Sequence, residues 1–153
     1  KWTGPKRTPP IDVSKLPGIV LDDDQAVLTG DWRRSSSIGP YAGDHYLTDG
    51  GDGRGPMSAR FTIRVDKPGV YEIRLSYSPS GNRAGNVPVT IRDADGPHAV
   101  RVDQRKKPAA APFQPLGRFR LPPDAPAEVV VSNEGADGYV IVDAVQAVAT
   151  RIK

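Results

Sequence analysis

Ala59-Arg-Phe-Thr-Ile-Arg-Val65, followed by Lys67-Pro-Gly69 and then Val70-Tyr-Glu-Ile-Arg-Leu-Ser-Tyr77, is the stretch that decides the fold. In the first run Ala59, Phe61, Ile63 and Val65 share one face while Arg60, Thr62 and Arg64 share the other, the period of two that a half-buried strand requires. Lys67-Pro-Gly69 interrupts the pattern with residues suited to reversing a chain. The second run resumes the alternation, with Tyr71, Ile73, Leu75 and Tyr77 predicted inward as core and Glu72, Arg74 and Ser76 outward. Two alternating runs joined by a short turn predict two half-buried strands, each with one face on a core.

Moving outward, Val87, Val89 and Ile91 alternate with Pro88, Thr90 and Arg92. Asp95-Gly96 tolerates positive φ between two strand-like runs, so His98–Val102 is predicted to pair back on residues 87–92. Gly18-Ile-Val-Leu21 and Ala26–Thr29 precede this block; Phe119 with Leu121, Glu128–Ser132 and Tyr139–Val148 follow it. Eight or nine short strands, spaced by about ten residues, predict an all-β, two-sheet antiparallel β-sandwich of jelly-roll-like type. The sixteen glycines and sixteen prolines agree with frequent turns, and 153 residues suffice for a single core, placed here over residues 18–153.

The net charge of +3 is confined to one end of the chain. Residues 1–17 hold Lys1, Lys6, Arg7 and Lys15 against Asp12, and the remainder is balanced. A neutral body lacks the basic face that nucleic-acid binding needs, so no nucleic-acid partner is expected. Residues 1–17 are predicted to be a Pro-rich basic linker carrying Trp2, joining the module to a parent catalytic domain upstream of Lys1. No run approaches the ~18–20 apolar residues of a membrane span, so no membrane insertion is expected. Absence of cysteine removes disulfides, thiolate nucleophiles and cysteine-based metal sites.

Catalytic patterns are weak. The two histidines stand in no nucleophile motif, and the serines lack a Gly-x-Ser-x-Gly elbow. Paired carboxylates of the glycosidase kind stay open by residue type alone. No catalytic residue is assigned.

Residues 30–58 form the longest stretch without a regular pattern, and such stretches in compact domains commonly carry function. Trp32, Tyr41, His45 and Tyr46 lie in it. They are candidate rings for stacking on sugar C–H faces, with Arg33, Asn82, Arg83, Asn86 and Gln104 as candidate hydrogen-bonding partners for hydroxyls. The competing reading has Trp32 and one tyrosine plugging the end of the sandwich. Asp49-Gly-Gly-Asp-Gly53 resembles a calcium loop in composition but reads better as a Gly-rich turn.

Asp143 interrupts the apolar run Gly138-Tyr-Val-Ile-Val-Asp-Ala-Val-Gln-Ala147. A buried carboxylate without a partner is costly, so its strand must bring one. Arg83 is one candidate, as a bidentate structural clamp on Asp143. The other is a calcium site, in which neighbouring first and last strands bring Asp22 and Asp24 to Asp143. A solvent-facing strand end is the third.

Several ordered motifs closely resemble the golvesin and xanthan-lyase C-terminal domain family. They are Val20-Leu-Asp-Asp-Asp24, Gly30-Asp-Trp32, Asn82-Arg-Ala-Gly-Asn-Val-Pro-Val-Thr-Ile91, Val102-Asp-Gln-Arg105, Leu116-Gly-Arg-Phe119 and Gly138-Tyr-Val-Ile-Val-Asp-Ala-Val145, with Tyr41 and Tyr46 in keeping. The resemblance implies a noncatalytic, carbohydrate-binding-like β-sandwich appended to secreted bacterial proteins such as polysaccharide lyases. Lys106-Lys-Pro-Ala109 resembles copies carried behind an oxidoreductase-like domain. The expected function is therefore that of an accessory module, extracellular or periplasmic, that binds polysaccharide; the alternative is a structural module docking on its parent enzyme or a neighbouring protein.

Overall fold

The computed structural model describes residues 11–12, 15–36, 41–43, 45–51 and 56–150. Among these residues, twelve strands, all paired antiparallel, form three sheets. A four-stranded sheet has the order β1 (Ile19–Leu21), β12 (Val145–Ala149), β6 (Gly69–Ser76) and β9 (Phe113–Leu121). A five-stranded sheet has the order β2 (Val27–Thr29), β5 (Ser58–Ile63), β10 (Ala127–Ser132), β7 (Val87–Asp93) and β8 (Gly96–Val102). A small third sheet joins β11 (Ile141–Val142), β4 (Tyr46–Thr48) and β3 (Arg33–Ser35). The all-β sandwich is as expected.

The alternating runs behave as their period requires. Ala59, Phe61, Ile63 and Val65 are buried, and so are Ile73, Leu75, Tyr77, Val87, Val89 and Ile91. They pack with Val129 and Val131 of β10 into the main core. The Asp95-Gly96 hairpin joins β7 to β8, with Val87 opposite Val102 and Asp93 opposite Gly96. Ser76 departs from its outward assignment and is wholly buried. Its hydroxyl accepts from Ala144 N at 2.8 Å while its own N–H donates to Ala144 O at 2.9 Å, so a polar side chain serves as a strand connection where β11 ends and β12 begins. Tyr71 is only half-buried, and its hydroxyl donates to Lys67 O at 2.8 Å.

Two strands lie where a long irregular stretch was expected. Arg33–Ser35 pairs with Tyr46–Thr48, with Arg33 opposite Thr48 and Ser35 opposite Tyr46. Three-residue strands are too short to show a period, and only β11 on the far side of β4 reveals the sheet.

The run from Val140 to Ala147 is buried throughout because the chain changes sheets within it. Ile141 and Val142 pair with Thr48 and Leu47, then Val145–Ala149 inserts between β1 and β6. Asp143 sits at that crossing.

Part of the expected linker is attached to this body. Ile11 N donates to Tyr41 O at 2.8 Å and Gly43 N to Ile11 O at 2.9 Å, while Pro17 O accepts from Gln146 Nε2 at 2.8 Å. Residues 1–10, with Trp2, lie outside the described residues. Among the described residues no helix is long and apolar enough to cross a membrane.

Candidate functional site

The first and last strands are neighbours, Ile19 opposite Ala147 and Leu21 opposite Val145, and this brings an acidic turn to Asp143. Directly after β1 the chain makes a 3-10 turn, Asp23–Gln25, capped at both reciprocal positions. Asp22 Oδ1 accepts from Asp23 N at 2.8 Å and Gln25 Oε1 accepts from Asp22 N at 3.0 Å. Such a capping box fixes the direction of the side chains within the turn. Asp23 points inward and is buried, whereas Asp24 is exposed. The convergent set is therefore Asp22, Asp23 and Asp143, with one carboxylate oxygen from each lying within 4.8 Å of the others. Asp24, expected as a ligand, faces away because it occupies the outer side of the capped turn.

Arg83 is not the partner of Asp143. Its Nε donates to Ser78 O at 3.0 Å, Nη2 to Ser78 Oγ at 3.0 Å and Nη1 to Asn82 Oδ1 at 3.0 Å, with Tyr46 OH at 3.5 Å and the guanidinium 5.6 Å from the Tyr46 ring centre. The arginine clasps its own loop and the third sheet. Asp143 Oδ2 instead accepts from Ala42 N at 2.7 Å, across 101 residues of sequence. Asp143 Oδ1 and both oxygens of Asp23 are buried without a hydrogen-bond donor. His45 Nε2 approaches Asp23 Oδ1 at 3.1 Å as an ion-pair contact.

The electrostatics follow from this crowding. Burial pushes the Asp23 carboxyl up to about 8, with Asp22 and Asp24 adding repulsion and Arg34 acting against it. Burial likewise raises Asp143 well above the usual carboxylate range, reinforced by Asp22 and Asp23, while the Ala42 N–H bond opposes the rise. Converging buried carboxyl oxygens with few protein donors are the hard ligands that calcium takes once they give up their protons, and this donor set fits it. The packing is close: Gly43 has φ +66°, and a Cβ there would run into Asp22 Oδ2.

The expected sugar-contacting residues separate into two groups. Tyr46 and Gln104 are buried and already bonded. Gln104 Oε1 accepts from Ile141 N at 2.8 Å and its Nε2 donates to Ile141 O at 2.9 Å. Asn86 ties two loops, its Nδ2 donating to Gly135 O at 3.0 Å and its Oδ1 accepting from Asp137 N at 3.1 Å. With Arg83, these are structural groups, because their polar atoms are spent on backbone and neighbouring side chains. Asn82 is exposed, Tyr41 is half-buried with its ring 5.8 Å from that of Tyr46, and His45 borders an open cleft with Arg34, Ser35 and Ser36.

Trp32 stands apart from them. Its Nε1 donates to Thr29 O and Ser58 O, both at 3.1 Å, which holds the indole at the wall of a cleft of about 390 Å3 lined by Gly30, Asp31, Arg33, Asp49 and Met57. Asp49, from the Gly-rich stretch, accepts from Gly51 N at 3.0 Å and Val140 N at 2.9 Å, and Asn133 Nδ2 donates to it at 3.3 Å. It is a backbone clamp on the cleft floor; Asp52 and Gly53 lie outside the described residues. Arg33, a candidate from sequence, lies in this cleft. Asp23 as an inward ligand and Asp31 were not singled out from sequence. The Asp22-x-x-Gln25 spacing is the signal that would have found the turn placing Asp23, and Asp31 is an ordinary exposed charge until the cleft is seen.

The sandwich shares its fold with solved structures that contain carbohydrate-binding modules. Its fold matches the CBM35 of Paenibacillus barcinonensis with a TM-score of 0.57 at 13% identity, over 87% of this chain and 100% of that one. It also matches the GH26-CBM35 β-(1,4)-mannanase of Podospora anserina with a TM-score of 0.63 at 17% identity, over 88% of this chain and 28% of that one.

The chain belongs to the Golvesin C-terminal domain family, which it matches over residues 19–149. It is 31% identical to the xanthan lyase of Bacillus sp. (strain GL1) across 92% of its own length but only 16% of that protein. The Paenibacillus xanthan lyase structure superposes with a TM-score of 0.80 at 25% identity, over 86% of this chain and 13% of that one.

Proposed function

We propose that this chain is the glycan-holding module of a larger exported bacterial protein, and that the Trp32 cleft is its sugar site. The observation that carries this is one aromatic wall, fixed by two hydrogen bonds, beside the charged side chains of Asp31 and Arg33 in a cleft large enough for a short oligosaccharide. Sugar C–H faces stack on a ring, and hydroxyls need planar, directional partners; this wall supplies both. Likeness to carbohydrate-binding modules and to a part of xanthan lyase supports the same role. Its benefit is proximity, since a weak second contact raises the effective concentration of polysaccharide at a catalytic partner.

Calcium bound at Asp22, Asp23 and Asp143 is part of the proposal. These residues would hold the ion between β1, the turn after it and the β11–β12 crossing, where it would neutralise the converging carboxylates. It would act as a structural tie distant from sugar chemistry.

The test is affinity electrophoresis of the protein against neutral and acidic bacterial and algal polysaccharides, comparing wild type with Asp31→Ala and Arg33→Ala. Both side chains are exposed, so melting temperature should hold while retention falls. No retention of wild type on any polysaccharide would end the sugar reading.

A second reading, docking on a neighbouring domain, draws on β2. Val27 and Leu28 are 56% and 42% exposed on this edge strand, an apolar pair beside unpaired backbone. Val27→Lys with Leu28→Thr should then release the module from its parent without altering glycan retention.

A further inference from the structure

Residues 11–12 and 15–17 precede the stretch 19–149 that matches the family, yet they are built into the body. Ile11 makes a parallel bridge with Ala42, its N–H donating to Tyr41 O at 2.8 Å and its carbonyl accepting from Gly43 N at 2.9 Å. Six residues on, Pro17 O accepts from Gln146 Nε2 of β12 at 2.8 Å. Between these ties Leu16 packs, with Val20, against the buried Ala42, Ala144 and Phe113. This small apolar cluster is separate from the main core and adjoins the acidic one, because Ala144 directly follows Asp143. The segment is a strap, fastened at both ends and seated in the middle.

The bridge decides where the Ala42 N–H points. In parallel pairing one residue bonds the carbonyl before its opposite number and the N–H after it, so the opposite residue's own N–H is turned to the other edge. There the Ala42 N–H donates to Asp143 Oδ2 at 2.7 Å. Ile11 and Asp143 therefore grip the same three residues from opposite edges. Gly43, the last of the three, lies so close to Asp22 Oδ2 that a Cβ there would collide with it. One short segment held by the strap thus touches two of the three converging carboxylates.

Asp143 Oδ1 is buried without a donor, so Ala42 orients one oxygen and leaves the other for a cation. Groups that hydrogen-bond a metal-ligating side chain fix its direction, and removing them typically costs about 10–100-fold in metal affinity. We propose that Ile11 is a positioning residue for the cation site at Asp22, Asp23 and Asp143, and that the strap it anchors couples this site to the chain upstream. The inference rests on the calcium reading given above. A seated strap keeps the Ala42 N–H on Asp143 and Gly43 against Asp22. A lifted strap lets both carboxylates turn, and their preset convergence is lost. Such coupling is reciprocal, so the strap is also held more firmly when the site is filled.

The test uses the full chain, as wild type, as Ile11→Pro, which deletes the N–H given to Tyr41 O, and as Leu16→Ser, which weakens the apolar seat. Calorimetric titration of the EDTA-stripped proteins with calcium chloride should show affinity falling about tenfold or more in Ile11→Pro, and in the same direction in Leu16→Ser. Amide hydrogen exchange followed by NMR supplies the second readout. Calcium should slow exchange at Ile11 and Gly43 of the wild type. Ile11→Pro should speed exchange at Ala42 while Val89 and Val129, both buried in the main core, keep their protection. Equal calcium affinity in all three proteins, or an Ala42 amide equally protected in wild type and Ile11→Pro, would overturn the coupling and leave the calcium reading standing. No calcium uptake by the wild type would end the calcium reading and the coupling with it. Weaker calcium binding accompanied by lost protection at Val89 and Val129 in both variants would mark the strap as general support for the fold, and would likewise reject the positioning role.

Discussion

Gln104 and Ile141 exchange two hydrogen bonds across 37 residues, at 2.8 and 2.9 Å, with the glutamine amide completing the strand pairing that Ile141 lacks on that side. Gln104→Ala would leave a buried N–H and a buried C=O unpaired. The expected cost is about 2–4 kcal/mol, read from urea denaturation. Gln104→Glu should be no better than Ala, because a carboxylate cannot donate to Ile141 O and meets it with like charge. A variant as stable as wild type would show that water replaces the amide at no cost.

Calcium should raise the melting temperature and EDTA should reverse the effect. At a hundredfold excess over Kd the gain is roughly 2.7 kcal/mol, and Asp143→Asn or Asp23→Asn should remove most of it. Gly43→Ala should also blunt the response, since the new methyl would push Asp22 out of the cluster. Identical melts with calcium and with EDTA would show that protons alone keep these carboxylates together.

The hairpin pair Asp93 and His98 predicts acid sensitivity. Burial works against ionisation of Asp93, but the His98 hydrogen bond and the backbone N–H groups of Asp95 and Arg120 outweigh it and hold the carboxyl below its usual range. A depressed carboxylate contributes stability that is complete above its unfolded value, near 3.9, and is lost as pH falls through the lower folded value. Asp93→Asn should therefore be less stable than wild type at pH 6 by about 1 kcal/mol, with the gap narrowing below pH 4. A gap constant from pH 2 to 6 would remove the ionised carboxylate from the explanation.

Trp32 should prove both structural and ligand-facing. Trp32→Ala loses two hydrogen bonds and its core contacts, at an expected cost of about 3 kcal/mol, along with glycan retention. Trp32→Phe keeps a ring but no donor, and should recover part of the retention at a smaller cost in stability. Full retention by Trp32→Ala would place the sugar elsewhere.

Much of the sandwich was legible in the sequence because alternation is a local signal. Ala59 to Val65, Ile73, Leu75 and Tyr77 of the second run, and the Asp95-Gly96 hairpin took their predicted places, since side chains two apart share a face whatever lies beyond them. Ser76 escaped this logic because it lies where strands change sheets, and burial there is set by Ala144. Tyr46 and Gln104 read as sugar ligands because polar tips in irregular segments look available until the segments they bond to are placed.

Asp143 shows the division most clearly. Its position within an apolar run, and the cost of burying it, required a partner, and the acidic triplet after the first strand was a candidate from residue type alone. Only the tertiary structure chose among partners. It sent Arg83 to Ser78, turned Asp23 inward and Asp24 outward, and brought Ala42 N within 2.7 Å of Asp143. The sequence determined the strands and the need for a clasp, through period and burial cost; the pairing of strands distant along the chain determined which residues form it, because side-chain proximity across a sandwich depends on register and sheet order that no local pattern encodes.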